Sequence, residues 1–312
     1  MRPAISIILF TTLIGTAQGL FVALYGIDLG ARLGWVDRLP ASLSVLAYTL
    51  CASFLAAGLV ASFFHLGHPL RGWRAIVMWR SSWLSREVIV LPLFAVGVVA
   101  HAWTCAYFPG ASGWTGLVVL VLCATLFVCT GMIYACLKFL QEWNTPLTVL
   151  NFVLLGMASG FTLAAAFAAL AWQRLAAPLG AGALGLTLAA WMVRAAILAR
   201  NASLKPKSTL NSATGLTQRH VVQKSQGMTG SSFANQEFFH GRSAGFLRWV
   251  KCLFLACTFV IPLLLIAAGL AAGQHGWLIP AFVTQYLGLL AERWFFFAQA
   301  RHPQNLYYQT VS

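Results

Sequence analysis

Eight long apolar runs separated by polar connections organise this chain of 312 residues. They cover roughly residues 5–27, 42–65, 87–108, 115–139, 147–172, 179–199, 248–272 and 277–299. Each is close to or above the ~20 residues that carry an α-helix across a hydrocarbon core of ~30 Å. A helix pairs all of its backbone within itself, which lipid demands of any spanning segment. The pattern therefore predicts an all-α integral membrane protein, a bundle of about eight transmembrane helices. It forms a single polytopic domain over 1–312, and the count fits two four-helix halves. The N-terminal run has the Arg2, apolar and small-residue order of a signal peptide. Its apolar character continues to about Ile27, however, past a cleavage point near Ala17, so it is expected to stay as the first span. Gly15 and Gly19, Gly156 and Gly160, and Gly269 and Gly273 are spaced to let helices approach closely.

One polar connection is long, residues 200–247. Its first part, KPKSTLNSATGLTQRH, is rich in Ser, Thr and Lys. Its second part, SSFANQEFFHGRSAGF, has apolar surface to bury through Phe233, Phe238, Phe239 and Phe246. This predicts an arm that packs beneath a partner, against the plainer reading of a loop lying on the membrane.

Composition agrees with the pattern. Hydrophobic residues make up 60% of the chain and charged residues 8%, against about a quarter charged in soluble domains. Lys and Arg number 20 against 6 Asp and Glu, a net charge of +14. The cations sit in short connections between apolar runs, which excludes a nucleic-acid groove and points to topology. An even number of spans puts both termini on one face. That face holds 17 of the 20 cations, and the other holds Arg32, Arg38 and Arg174. The positive-inside rule makes the crowded face cytoplasmic, in a bacterial inner membrane. A basic face is also a dock for an acidic partner. None of the seven cysteines forms a CxxC pair. Zinc ribbons, iron–sulfur ligation and c-type haem attachment therefore lack support, and small helix-packing residues are expected instead.

The chemistry gathers at the basic face. FFHLGHPLRGWRAIVMWRSSWLSRE, from Phe63 to Glu87, puts His65 at the end of the second run and His68 just beyond it. Arg71, Arg74, Arg80 and Arg86 follow, with Trp73, Trp79 and Trp83 among them. An interfacial belt accounts for the Trp and Arg residues. It leaves unexplained a histidine at the span end and Glu87 entering the third run. Glu292 and Arg293 lie deep in the last run, towards the same face. Ionisable groups inside a membrane point to function. Together these residues suit a planar, apolar, proton-releasing substrate, which describes a quinol. The candidate catalytic residues are His65 and Glu87. His65, His68, Arg71, Trp73, Arg74, Glu292 and Arg293 are the candidate quinol-binding residues, with Arg71 or Arg74 expected to face a neighbouring carboxylate. A haem held by two histidines is disfavoured, because His101 lies roughly 22 Å below the basic face at 1.5 Å per residue and His65 lies near it. His101 is expected to be a hydrogen-bonded packing residue. With no electron carrier of its own, a quinol-oxidising chain must pass electrons to another subunit. A secondary transporter and a structural anchor without a quinol site are the competing classes.

The Phe63–Glu87 stretch resembles the connection between the second and third spans in the membrane-anchor subunits of the dimethyl sulfoxide reductase family. MIYACLKFLQEWNTPLT, SSFANQEFFHGRS and LAERWFFFAQARHPQNLYY are similar to later signatures of that family, in the same order. The resemblance covers nearly the whole chain, though less of it between Ala199 and Ser231. It implies an anchor that carries no haem and binds menaquinol as substrate, with His65 as the quinol-binding position. Such an anchor passes electrons to an iron–sulfur subunit and through it to a molybdopterin catalytic subunit. Anaerobic reduction of dimethyl sulfoxide or a related acceptor is the implied reaction. Export signals on that family's catalytic subunits would put the dock outside the cytoplasm, against the charge count.

Overall fold

A computed structural model describes residues 1–64, 66–206, 209–217, 221, 225, 238–303 and 305. The long helices are α1 (Ile5–Arg32), α2 (Ala41–Phe63), α3 (Trp83–Tyr107), α4 (Ser112–Ala135), α5 (Pro146–Ala171), α6 (Gln173–Ala202), α7 (Ala244–Ala271) and α8 (Leu278–Ala298). There is no strand among the described residues. The first seven are long and apolar enough to cross a bilayer. α8 is long enough, at 21 residues, but carries Gln285, Glu292 and Arg293 within its apolar run.

Helices α1–α4 pack among themselves, as do α5–α8, and the two sets join where α1 lies along α5. That seam follows from glycine. A Cβ on Gly19 would stand 2.1 Å from the Gly156 carbonyl oxygen, and one on Gly160 would stand 2.2 Å from the Gly19 carbonyl carbon. Two of the three predicted glycine pairs thus meet each other, bringing backbone against backbone. The third does not join helices: Gly273 has φ +65 and ends α7, a left-handed position that suits glycine.

The helix ends have local causes. The Ser82 side chain accepts a hydrogen bond from the Ser85 N–H, so α3 starts at Trp83 rather than near Glu87. Glu87 therefore lies about 6 Å inside the helix instead of at its mouth. In α7 the turn Ala256–Val260 widens to a π-helix. Pro262 has no N–H to return to the Thr258 carbonyl, and Gln285 of α8 reaches across to donate to that oxygen at 3.4 Å.

Met1 lies beside the end of α8. The Met1 ammonium donates to the Ala300 carbonyl at 3.0 Å. Burial lowers its pKa to about 6, with Glu142 acting in the opposite sense. The described part of the long connection folds onto this corner. Phe239 is buried, the Phe238 ring stacks on His302 at 3.8 Å, and Phe246 meets Trp294 edge-on at 5.5 Å. These aromatic rings therefore pack against the end of α8 and the residues just after it, while Phe233 lies outside the described residues. Burial lowers the pKa of both His240 and His302, and the N-terminal charge acts in the same direction.

The cysteine expectation holds only in part: Cys51, Cys123 and Cys129 are buried, whereas Cys136 and Cys252 are exposed.

The seam predicts a sharp asymmetry among glycines. Gly19→Val should lower the melting temperature of the purified protein in detergent, at a cost of about 1–3 kcal/mol or more for overpacking. Gly26→Ala in the same helix has open space around it and should leave the melting temperature unchanged. Equal melting curves for the two variants would remove the seam from the account.

Candidate functional site

The candidate residues separate into a surface group and two buried groups. His65 lies outside the described residues. After Phe64 and Leu66, the chain forms a 3-10 helix over Pro69–Met78, opened by Pro69, which favours a helix start. His68 immediately precedes this helix, and Arg71, Trp73 and Arg74 lie on it at the surface. The arginines pair with neighbouring rings, as at an interface: Arg74 lies 5.7 Å from the Trp73 ring centroid, Arg80 5.4 Å from Trp79 and Arg86 4.2 Å from Trp83.

Glu87 forms the first buried group. Its carboxylate accepts a short hydrogen bond from the Thr130 hydroxyl of α4, and both side chains are buried. The expected pairing with Arg71 or Arg74 is absent. No described cation reaches Glu87 at ion-pair distance, because those two arginines lie on the exposed 3-10 helix. Arg86, next in sequence, turns outward and donates to the carbonyls of Trp79 and Arg80 at 2.9 and 2.8 Å.

The second group centres on Glu292, which is 0% exposed. Arg194 Nε of α6 lies 2.9 Å from its Oε1, and Arg293 Nε lies 2.7 Å from its Oε2. The distances are those of ion pairs, but the N–H directions miss the oxygens, so these are close charge contacts rather than aligned hydrogen bonds. Aromatic faces complete the surroundings: the Arg293 guanidinium lies 4.0 Å from the Phe152 ring centroid, and Arg194 lies 5.3 Å from that of Phe254. Arg194 is about 12 Å inside the end of α6 at 1.5 Å per residue. It and Arg293 are therefore buried rather than part of an exposed basic face.

The two buried groups meet at one cavity. It has a volume of ≈ 20 Å³, and Thr130, Arg293, Gln18 and Thr11 are among its walls. That holds about one water molecule and is far too small for a quinone ring.

His101 lies elsewhere, about 27 Å along α3 from Trp83. Its Nδ1 is hydrogen-bonded to Thr115 Oγ1 at 3.1 Å and its Nε2 to Tyr48 Oη at 3.0 Å. It is thus the hydrogen-bonded packing residue expected of it. Asp28 and Arg32 form a 3.3 Å ion pair nearby.

Sequence reading missed Arg194 and Thr130. Arg194 carried the same signal as Glu292, a charge inside an apolar run. Thr130 carried none, since threonine in an apolar helix usually bonds its own backbone.

Residues 1–295 match the family described as DMSO reductase anchor subunit (DmsC). The chain is also 49% identical over 326 residues to a sulfite dehydrogenase subunit from Allochromatium vinosum, with all of both chains covered.

The charge contacts yield a ranked prediction. Glu292→Gln leaves two adjacent buried guanidinium groups without their carboxylate and should destabilise the protein by about 3–5 kcal/mol. Arg194→Met leaves a one-to-one pair and should cost clearly less. Melting in detergent measures both, and the reverse order would refute the account of the cluster.

Proposed function

Because the chain belongs to the family of DMSO reductase anchor subunits (DmsC) and is a multi-pass integral membrane protein, we propose that it exchanges electrons and protons between membrane quinone and a partner iron–sulfur subunit. A molybdopterin catalytic subunit lies beyond that partner. The observation that carries this reading is Glu87: a buried carboxylate about one turn inside α3, beneath a surface of Arg and Trp, whose hydrogen bond comes from an uncharged hydroxyl. Such a group takes and gives protons at the depth where a quinone ring sits.

The quinone site is placed at the α2–α3 junction, with His65 and Glu87 as the two proton-exchanging groups. Histidine is suited to this because its ordinary pKa of about 6.5 lets it bind and release a proton near neutral pH. His68, Arg71, Trp73 and Arg74 line the approach. Glu292 and Arg293, expected to touch quinol, are placed behind the site instead, since they are sealed in the bundle.

The name of the full-length relative favours sulfite as the electron source. Oxidation of sulfite with water gives sulfate, two protons and two electrons in the catalytic subunit. The electrons pass through the iron–sulfur subunit to the quinone. There His65 and Glu87 each deliver one proton and regain it from water at the basic face, so that quinone becomes quinol. The basic face is placed in the cytoplasm, with the partner subunits docked on it. The family name favours the opposite flow, from menaquinol towards dimethyl sulfoxide or a related acceptor. Reversibility gives the same residues the same roles in that direction.

The test uses the assembled complex in membranes. His65→Ala and Glu87→Gln should leave assembly intact and abolish turnover with quinone or quinol. Exchange between the catalytic subunit and a soluble dye should continue. Normal quinone-linked turnover in both variants would refute the site. Activity with sulfite and quinone, against activity with menaquinol and an S-oxide, decides the direction.

A further inference from the structure

The two guanidinium groups of the buried cluster carry one positive charge more than Glu292 cancels. Among the described residues, no other charged group contacts the cluster. Arg293 is 2% exposed, and its Nη1 and Nη2 have no hydrogen-bond acceptor. The same side chain forms part of the wall of the cavity between α1, α4, α5 and α8. Thr130 forms another part of that wall, and its hydroxyl is the donor to Glu87. The ≈ 20 Å³ volume fits one water molecule. Arg293 offers such a water N–H donors, and Thr130 offers it an oxygen.

We infer that a water molecule bound in this cavity by Arg293 and Thr130 joins Glu87 to the Arg194–Glu292–Arg293 cluster, and that Arg293 is thereby a positioning residue for proton exchange at Glu87. The inference rests on the proposed role of Glu87. When Glu87 gives its proton to quinone it becomes a carboxylate. Two carboxylates and two guanidinium groups then form a neutral set. Charges in this apolar interior attract one another far more strongly than in water. The surplus cation of the cluster is therefore matched to the anionic form of Glu87, through one threonine and one water. Arg86 does not compete for this role, because its guanidinium is held by carbonyls at the surface.

The experiment uses the complete complex with Arg293→Gln, Arg293→Lys, Thr130→Val and Glu87→Gln. Arg293→Gln should lower quinone-linked turnover about tenfold, equivalent to about 1.4 kcal/mol of lost stabilisation of the charged form, with dye-linked turnover unchanged. Arg293→Lys keeps the charge and should retain most of the activity. Infrared spectra should show the protonated-carboxyl band of Glu87 persisting to higher pH in Arg293→Gln than in the parent, and no such band in Arg293→Gln/Glu87→Gln. A purely structural arginine would not move that band. Normal quinone-linked turnover in Arg293→Gln, or a band that survives Glu87→Gln, overturns the inference. If Arg293→Gln does not assemble, Thr130→Val decides: slowed quinone turnover supports the link, and unchanged turnover overturns it. The two proposals fail separately. Normal turnover in Glu87→Gln removes the role of Glu87 itself, whereas loss in Glu87→Gln with none in Arg293→Gln or Thr130→Val removes only the water link.

Discussion

The Glu292 carboxylate sits between guanidinium groups from α6 and α8, with no surface in reach of solvent. Removing such charges from water costs several kcal/mol per ion, which mutual attraction offsets only when the partners are held together. This requirement fixes how α6, α7 and α8 meet. Arg194 must point inward from α6, and the rings of Phe254 and Phe295 from α7 and α8 flank it. Gln285, two turns earlier on α8, joins the same three helices by donating to Thr187 of α6 at 3.0 Å and to the Thr258 carbonyl of α7. The polar residues of α8 are thereby held inside the bundle by polar contacts.

The seam between α1 and α5 works by the opposite means. Glycine backbones touch there, and the small polar side chains of Thr16 and Ser159 meet beside them at 3.0 Å. Lipid supplies little hydrophobic drive for helices to associate, so close backbone packing does that work. Close approach brings Gln18 and Thr11 of α1 up to the cavity that Thr130 and Arg293 also line. Glycine packing and buried charge are therefore linked: the first sets the walls of the space in which the second acts.

The polar groups are divided by depth. The exposed 3-10 helix and the residues just after it pair Arg74 with Trp73 and Arg80 with Trp79. Below it, Glu87 and Thr130 occupy the first turns inside the bundle, and the cluster around Glu292 lies a little deeper. His101 and Tyr48 stand near the opposite face.

That the chain is an all-helical bundle of seven to eight long apolar helices could be read from the sequence. Lipid thickness and backbone pairing permit few alternatives for apolar runs of this length. Glu87, Glu292 and Arg293 stood out as ionisable residues inside such runs, and two of the three glycine pairs were legible from spacing alone. Partnership was not legible. That Glu87 would bond Thr130 rather than Arg71 or Arg74, and that Arg194 would leave the basic face to meet Glu292, depends on which helices are neighbours and how each is rotated. A linear sequence places a charge at a depth in the membrane. Only packing decides what it faces there, because contacts between α3 and α4, or between α6 and α8, join residues tens of positions apart.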